Sequence, residues 1–207
     1  MKNWVVGLLM VCMLGACSVA SFADDKNAEG VIFSEDFKDT AAAVKKLNLD
    51  VNEWEVTNGA VQSKRALNGV ARFFFGETGW KDYNIELKVK QLNADPKDHH
   101  FSIFVRCAND ANLRLYCPGD VIKYIEAANG KAVRHEVLGK LPKPMELGEK
   151  SPWSTFKVSL IGSTASVYVD GKLIGKIENL APSEGRIMLF TYNVNVMFSD
   201  IKVTSAK

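Results

Sequence analysis

The chain has 207 residues, of which 47% are hydrophobic and 24% are charged, and its formal net charge at pH 7 is +2. This length suits one sizeable domain with a full hydrophobic core. The near balance of 26 basic and 24 acidic residues argues against a nucleic-acid ligand, because proteins that bind phosphate backbones usually carry a basic excess or patch.

Residues 1–23 predict a secretion signal. Met1-Lys2-Asn3 is a short positive segment, Val5 to Leu14 is apolar, and Ser21-Phe22-Ala23 supplies the small residues that precede a cleavage position. The apolar run is shorter than the roughly 20 residues that cross a bilayer, and no later segment approaches that length. We therefore expect an exported protein without a transmembrane span, in which residues 24–30 form a short linker and residues 31–207 form one domain.

A second processing route overlaps the first. Leu14-Gly15-Ala16-Cys17 resembles the lipobox of bacterial lipoproteins, in which the cysteine is lipidated and becomes the new N-terminus. Cleavage after Ala23 would release the domain, whereas lipidation of Cys17 would anchor it to a membrane. The expected location is therefore the periplasm, the extracellular space or, for a lipoprotein, the outer membrane.

From residue 31 onward, short alternating apolar segments separated by turn residues predict an all-β sandwich. Residues 83–90 are typical, because apolar and polar side chains alternate along them. Residues 40–47 are the exception, since their alanine-rich composition predicts a short helix with Asp39 or Thr40 as its N-cap. Hairpin turns are predicted at three dipeptides: Asn58-Gly59, Asn129-Gly130 and Asp170-Gly171.

Two cysteines lie within the predicted domain. Cys107 and Cys117 end two strand segments that flank the turn-rich residues 109–112, so an oxidising compartment would favour a disulfide between them. The two positions are not directly opposed in a simple hairpin register, so the disulfide would require a β-bulge. The cysteines and histidines show no zinc-binding spacing.

The order of several core and hairpin motifs resembles a known superfamily. The motifs are Ser34-Glu35-Asp36-Phe37, Trp54-Glu55-Val56-Thr57-Asn58-Gly59, Trp80-Lys81-Asp82-Tyr83-Asn84-Ile85-Glu86, Phe101-Ser102-Ile103-Phe104-Val105-Arg106, Trp153-Ser154-Thr155-Phe156-Lys157-Val158, Val167-Tyr168-Val169-Asp170-Gly171, Gly185-Arg186-Ile187-Met188-Leu189 and Phe198-Ser199-Asp200-Ile201-Lys202-Val203. Together they resemble the concanavalin A-like lectin/glucanase superfamily, near laminin-G-like modules and the 3-keto-disaccharide hydrolase-like domains of exported bacterial proteins. The resemblance spans residues 31–204. It implies an antiparallel two-sheet jelly-roll sandwich with one short N-terminal helix and a ligand on a concave face or at the rim loops.

The same resemblance raises the question of catalysis. Related family 16 hydrolases carry acids in the pattern Glu-x-Asp-x-x-Glu on one strand, and this sequence contains no such run. The 3-keto-disaccharide hydrolase-like domains share an arginine and a following Tyr/Glu strand, which Arg106, Tyr124 and Glu126 match loosely. We therefore expect a binding module, with a glycoside hydrolase that uses Glu126 as its carboxylate and Arg106 as its charge-stabilising partner as the alternative.

Strand alternation suggests one face for a sugar ligand. If Ile103 and Val105 point to the core, Phe104 and Arg106 share the opposite side. The full set of predicted ligand-binding residues is Trp80, Phe104, Arg106, Arg114, Tyr116, Tyr124, Glu126 and Tyr192. Arg106 and Glu126 could instead pair across strands on a solvated sheet.

A structural calcium ion is implied by the same superfamily, since relatives often bind one between the first and last strands. Glu35 or Asp36, with Asp200, occupies comparable positions, and carboxylates suit calcium. These acids could equally form turns and protect a sheet edge. No other cofactor is expected. The sequence thus predicts a monomeric carbohydrate-binding module for a polysaccharide or cell-surface glycan, with a glycoside hydrolase and a structural or adhesion module as alternatives.

Overall fold

The computed structural model describes residues 30–64, 69–95 and 98–206. Residues 1–29, which contain the predicted secretion signal and Cys17, lie outside this part of the chain. The described residues form one helix and fourteen strands. In chain order they are β1 (Val31–Glu35), α1 (Thr40–Leu47), β2 (Trp54–Thr57), β3 (Ala60–Ser63), β4 (Val70–Phe75), β5 (Tyr83–Ala94), β6 (His100–Ala108), β7 (Ala111–Cys117), β8 (Val121–Ala128), β9 (Lys131–Lys140), β10 (Ser154–Ile161), β11 (Thr164–Val169), β12 (Lys172–Ile177), β13 (Arg186–Tyr192) and β14 (Val194–Ser205).

The strands form two sheets in which the named strands pair antiparallel. The eight-stranded sheet has the order β12-β11-β10-β5-β14-β3-β2, with β1 also paired to β14. The six-stranded sheet has the order β4-β13-β6-β7-β8-β9. Strands distant in sequence are neighbours in both sheets, such as β5 beside β14 and β6 beside β13. The predicted all-β jelly-roll sandwich with one short N-terminal helix is confirmed.

The hydrophobic core lies between the inner faces of the two sheets. Central strands supply buried side chains at alternate positions: Ile85, Leu87 and Val89 from β5, and Phe101, Ile103 and Val105 from β6. At one end of the core the Trp54 ring meets Phe73 edge-on, with 5.0 Å between the ring centroids. Burying a large apolar side chain contributes about 1.5–3 kcal/mol, so this interior holds the sheets together.

The helix and the hairpins form where the sequence predicts them. Asp39 caps α1 by accepting a hydrogen bond from the Ala42 amide at 3.0 Å, and the helix ends at Asn48 in a left-handed conformation. Asn58, Asn129 and Asp170 also have positive φ, as the first turn residue of a type I′ hairpin requires. Among the described residues no helix has the length and apolarity needed to cross a membrane.

The predicted disulfide between Cys107 and Cys117 is wrong, because both cysteines are free. Cys117 pairs with Phe101 across β6 and β7, whereas Cys107 pairs with Arg186 on β13. The stretch of β6 from Phe101 to Cys107 spans about 20 Å at the rise of a strand. A disulfide requires Cα atoms within about 7 Å. Burial raises the pKa of both thiols to about 12, so both are protonated near neutral pH.

Candidate functional site

The outer face of the six-stranded sheet carries a cluster of aromatic side chains. The strand register makes neighbours of Phe104, Met188 and Arg114, then of Ser102, Phe190 and Tyr116, and finally of His100 and Tyr192. Because alternate residues of a strand point to opposite sides, these side chains point away from the core. We call this set the aromatic face; its members are His100, Ser102, Phe104, Arg114, Tyr116, Met188, Phe190 and Tyr192.

The rings of the aromatic face contact one another around His100. The imidazole stacks on Phe190 with an interplanar angle of 15° and a centroid distance of 6.0 Å. The rings of Tyr192 and Tyr116 lie 5.3 and 5.4 Å from the same imidazole. Phe104 meets Phe190 edge-on at 5.9 Å. The result is a continuous aromatic surface across β13, β6 and β7.

Arg114 lies at the centre of this surface. Its guanidinium carbon is 5.2 Å from each of three ring centroids, those of Phe104, Tyr116 and Phe190. Its Nε donates a 3.2 Å hydrogen bond to Ser102 Oγ, and its Nη2 donates to His100 Nε2. Burial lowers the pKa of Arg114, but an arginine stays protonated in proteins. The face therefore combines apolar rings with a fixed positive charge.

The outer face of the other sheet has a different character. Along β5 the outward side chains are Asn84, Glu86, Lys88 and Lys90. The neighbouring strand β10 adds Thr155, Lys157 and Ser159. Such polar residues are usual on a sheet face that meets water. A sheet face that meets water does not need a continuous aromatic surface, and such surfaces often mark sites of interaction.

The protonation of His100 should make the stability of the protein depend on pH. Burial, and next the charge of Arg114, lowers the pKa of His100 to about 4, against about 6.5 in an unfolded chain. As the pH falls from about 6.5 to about 4, the unfolded chain binds this proton first, so the free energy of unfolding decreases.

We expect the His100 contribution to this loss to be about 1 kcal/mol, because the ring is partly open to solvent. It is measured by comparing urea unfolding of the wild type and of His100→Phe at about pH 7 and about pH 4.5. The wild type should lose more stability on acidification than the variant. The same loss in both proteins would contradict the neutral, partly buried His100.

Four of the predicted ligand-binding residues lie together on the aromatic face. Phe104, Arg114 and Tyr116 occupy adjacent strands, and Tyr192 lies one strand further, on β13. Alternation along β6 and β7 is regular at these positions, so the sequence pattern located them correctly. Their role in ligand binding stays a prediction.

The predicted position of Arg106 on this face is wrong. A β-bulge interrupts the pairing of β6 between Val105 and Ala108, and Arg106 has φ +52° at the bulge. The bulge reverses the alternation, and the side chain of Arg106 is only 1% exposed. Its guanidinium donates two hydrogen bonds to the carbonyl of Lys81, at 3.1 and 2.9 Å, and one to that of Pro182 at 3.0 Å. An Nη2–Asp82 contact of 3.3 Å completes the cluster.

Tyr124 and Glu126 also fail to lie on the aromatic face as predicted. The β7–β8 register pairs Tyr124 with Leu115 and Glu126 with Leu113, and both leucines are core residues. Tyr124 and Glu126 therefore lie on the inner side of the sheet, 5% and 1% exposed. Two donors bind the Glu126 carboxylate: Arg134 Nε at Oε2, and the Ala181 amide at Oε1, at 2.6 Å.

Three charged residues of the six-stranded sheet, of which Arg106 and Glu126 are buried, bind the segment that links β12 to β13. This segment, residues 178–185, receives hydrogen bonds from Arg134 at the carbonyls of Glu178 and Asn179, 2.9 and 3.3 Å away. Glu126 binds it at Ala181 and Arg106 at Pro182. The two charged residues first assigned to ligand binding or catalysis, Arg106 and Glu126, thus fasten this linking segment.

Trp80, one of the predicted ligand-binding residues, packs into the protein and not on the aromatic face. Its ring meets Tyr83 edge-on at 5.9 Å and packs against the core. A Cβ on Gly76 would lie 2.4 Å from the same ring, so only glycine leaves room for it there. Trp80 supports the core beside β5.

The residues predicted to hold calcium have lysine partners. Glu35 lies 3.0 Å from Lys46 Nζ, Asp36 lies 2.8 Å from Lys38 Nζ, and Asp200 lies 2.8 Å from Lys88 Nζ. Within the described part of the chain, no group of three or more His, Cys, Asp or Glu residues is arranged to hold a metal ion. Calcium favours six to eight oxygen ligands, so these ion pairs do not fit a calcium site. Calcium binding itself stays an untested prediction.

His100 and Phe190 are the two central residues of the face that sequence reasoning missed. The signal for both was the same alternation that located the others. His100 lies two positions before Ser102 on β6, and Phe190 lies two before Tyr192 on β13. His135 on β9 is a further polar neighbour, since its Nε2 is 2.6 Å from the Tyr116 hydroxyl.

A cleft lies at one end of the sandwich. It is an open cleft of about 320 Å³ between the β6–β7 turn, the β8–β9 turn and the β12–β13 segment. Its lining is mostly polar and includes Asn109, Asn129 and Glu184. The cleft has no aromatic lining, so it offers a sugar ring no apolar surface on which to stack.

Comparison with known proteins identifies solved structures that share the fold. No family model and no curated protein sequence matches the chain. Solved structures do match. The carbohydrate binding module CBM66 from Bacillus subtilis is 16% identical, with a TM-score of 0.59 over 73% of this chain and 91% of that one. A Bacillus subtilis protein of unknown function with a galectin-like fold is 11% identical, with a TM-score of 0.64 over 85% and 96%.

The Bacillus licheniformis β-glucanase is also similar in structure. It is 14% identical and has a TM-score of 0.60, over 86% of this chain and all of that one. At these identities the likeness concerns the fold alone. The chain has the concanavalin A-like jelly-roll fold, as the sequence resemblance implied.

Proposed function

We propose that the aromatic face of the six-stranded sheet binds carbohydrate. One observation supports the proposal above all: the rings of His100, Phe104, Tyr116, Phe190 and Tyr192 form one surface around Arg114 on a sheet face turned away from the core. Sugar rings have apolar faces that stack on aromatic side chains, and hydroxyl groups that bind nearby polar atoms. Apolar surface with a few well-placed polar groups is the usual composition of a binding site.

The polar atoms needed to orient a sugar lie beside the rings. The hydroxyls of Tyr116 and Tyr192 both donate and accept hydrogen bonds, and the Arg114 guanidinium donates. Tyr116 already contacts His135, and Arg114 contacts Ser102, so these groups are held in position. Preorganised contacts lower the cost of ordering side chains on binding.

The names of two structural neighbours are consistent with a carbohydrate ligand. One is named a carbohydrate binding module and another a β-glucanase. A shared fold does not establish a shared function, so the neighbours support a carbohydrate ligand without identifying the sugar. Export to the periplasm or cell surface, where such a ligand would be met, remains a prediction.

The glycoside hydrolase alternative has less support. Glycoside hydrolysis usually requires two carboxylates about 5 to 10 Å apart beside the scissile bond. Glu126, the carboxylate considered for this role, is buried on the inner side of the sheet and is bound by Arg134 and Ala181. No carboxylate extends from the outer side of the strands that carry the aromatic face.

Substitution of the ring surface tests the proposal. We expect Phe104→Ala and Phe190→Ala each to weaken binding of a glycan identified on an array by about tenfold, because a lost aromatic contact costs about 1 kcal/mol or somewhat more. Tyr168→Ala is the matched control, since Tyr168 is an aromatic residue on the outer face of the eight-stranded sheet. Isothermal titration calorimetry measures the affinities.

Three outcomes would contradict the proposal. The first is an array on which the protein binds no glycan, which would favour a structural or adhesion module. The second is an affinity that falls with Tyr168→Ala and not with the two phenylalanine variants. The third is glycan cleavage that is lost in Glu126→Gln, which would favour the hydrolase.

A further inference from the structure

Acidic residues are rare on the six-stranded sheet. Across its strands β4, β6, β7, β8, β9 and β13, Glu126 and Glu136 are the only Asp or Glu residues. Both lie on the inner side, because Glu126 pairs with Leu113 and Glu136 pairs with Tyr124, whose neighbour Leu115 is a core residue. The outer side of these six strands therefore carries no carboxylate.

Basic residues occur on that same outer side. Arg72 pairs with Phe190, and Lys123 pairs with Tyr116, so both extend the aromatic face. The Arg186 guanidinium lies 5.5 Å from the ring centroid of Phe74, which is an outward residue of β4. Within the described part of the chain, no ion pair is formed by Arg114 or by any of these three basic side chains.

This one-sided charge is not a general property of the protein. The whole chain has a net charge of only +2. The outer face of the eight-stranded sheet mixes both signs, as in the Lys88–Asp200 ion pair of 2.8 Å. Two loop carboxylates adjoin the patch, Asp98 near His100 and Glu53 at the Arg72 amide, whereas the charged side chains on the outer side of the strands are basic. A mainly positive patch on a nearly neutral protein attracts ligands of the opposite sign.

Arg114 is the strongest indication of such a ligand. It is partly buried among three rings, and two of its three nitrogens are bound by uncharged partners, Ser102 and His100. Its Nη1 makes no hydrogen bond to the described residues. A charge removed from water is costly unless it is paired, and a guanidinium matches the geometry of carboxylate and sulfate groups.

We infer that the carbohydrate bound by the aromatic face is anionic: a sugar carrying a carboxylate or a sulfate, whose charged group binds Arg114 while its ring stacks on the neighbouring aromatic side chains. This inference rests on the proposed function and specifies its ligand class. Arg72, Lys123 and Arg186 then favour a polymer with repeated charges, because they extend the positive surface on both sides of Arg114.

Matched pairs of polymers test the inference on the full chain. Polygalacturonate is compared with its carboxyl-reduced form, and dextran sulfate with dextran, by calorimetry at about 0.15 M salt, where exposed charges are partly screened. We expect the anionic member of at least one pair to bind more than about tenfold more tightly than its neutral partner. The pair that responds identifies the group as carboxylate or sulfate.

Variants separate site binding from general charge attraction. Arg114→Met should weaken binding of the anionic polymer by at least about tenfold, whereas Lys157→Gln, on the outer face of the eight-stranded sheet, should leave it unchanged. If Arg114→Met does not fold, Lys123→Gln and Arg72→Gln provide the same comparison, each with a loss of about threefold.

The outcomes distinguish this inference from the proposed function. Equal affinity for the charged and neutral members of both pairs would overturn the inference that the ligand is anionic, and it would leave the proposal of carbohydrate binding intact. Anionic binding that falls equally in Lys157→Gln and Arg114→Met would also overturn it, as would tighter binding of a single-stranded thymidine oligonucleotide than of either anionic polymer. No binding of any polymer or arrayed glycan would instead contradict the proposed function.

Discussion

Replacing Arg106 with methionine is expected to lower the free energy of unfolding by about 3 kcal/mol. The side chain is 1% exposed, and its guanidinium binds the carbonyls of Lys81 and Pro182. Methionine fills much of the same volume but leaves both carbonyls without these donors. Each buried polar group that loses its partner costs about 1–3 kcal/mol.

The expected loss is smaller than the sum of these contacts because the wild-type arginine is itself desolvated. Burial lowers the pKa of Arg106, and the variant no longer carries that desolvation cost. The Asp82 side chain is 44% exposed, so water can replace its lost partner.

Equilibrium unfolding in urea measures the effect, with Arg72→Met as the matched control. Arg72 is an exposed arginine on β4, and its replacement should change the free energy of unfolding by less than about 0.5 kcal/mol. A loss below about 1 kcal/mol for Arg106→Met would show that the buried cluster is not a main support of the fold.

Replacing Glu126 with alanine is expected to cost about 3 kcal/mol of folding stability. The carboxylate is buried and binds both Arg134 and the Ala181 amide. Removing one member of a buried ion pair leaves the other without a counter-charge, which costs about 3–5 kcal/mol when both are fully buried. Arg134 is 29% exposed, so we expect the lower end of that range.

This substitution also separates two roles for Glu126. A catalytic carboxylate is commonly held in a strained or destabilising environment, so its removal spares or raises stability. A carboxylate that fastens the β12–β13 segment lowers stability when it is lost. Urea unfolding of Glu126→Ala and of Glu86→Ala, an exposed acid on β5, makes the comparison. Unchanged stability in Glu126→Ala would contradict the structural role.

Much of the fold could be predicted from local chemistry. The turn residues Asn58-Gly59, Asn129-Gly130 and Asp170-Gly171 take positive φ at their first positions, which marks the hairpins directly. The helix of residues 40–47 likewise carries its own cap in Asp39. Turn dipeptides and helix caps depend only on residues that are adjacent in the chain, so a single sequence is enough to predict these turns and this helix.

The failures at Arg106, Tyr124 and Glu126 have a different cause. Alternation predicts a face only while pairing is regular, and the bulge at Arg106 depends on the partner strands. On β8 both sets of alternate residues contain apolar and charged side chains, so hydrophobicity could not show which set faces the core. The set that contains Glu126 faces the core, where its carboxylate pairs with Arg134, eight positions later on β9.

The free cysteines show the same dependence on pairing. The hairpin of β6 and β7 was predicted correctly, but Cys117 lies opposite Phe101, at the far end of β6 from Cys107. Cysteine number and compartment favour a disulfide only when the register brings the two residues together.

NMR mapping of a bound oligosaccharide is the most direct test of whether the aromatic face of the six-stranded sheet is the ligand site. Backbone amide shifts are followed while the tightest-binding glycan of the array is added. We expect the largest changes on β6, β7 and β13, around Phe104, Arg114 and Phe190. Changes confined to the rim cleft near Asn109 and Asn129, or to the outer face of β5 and β10, would contradict this expectation.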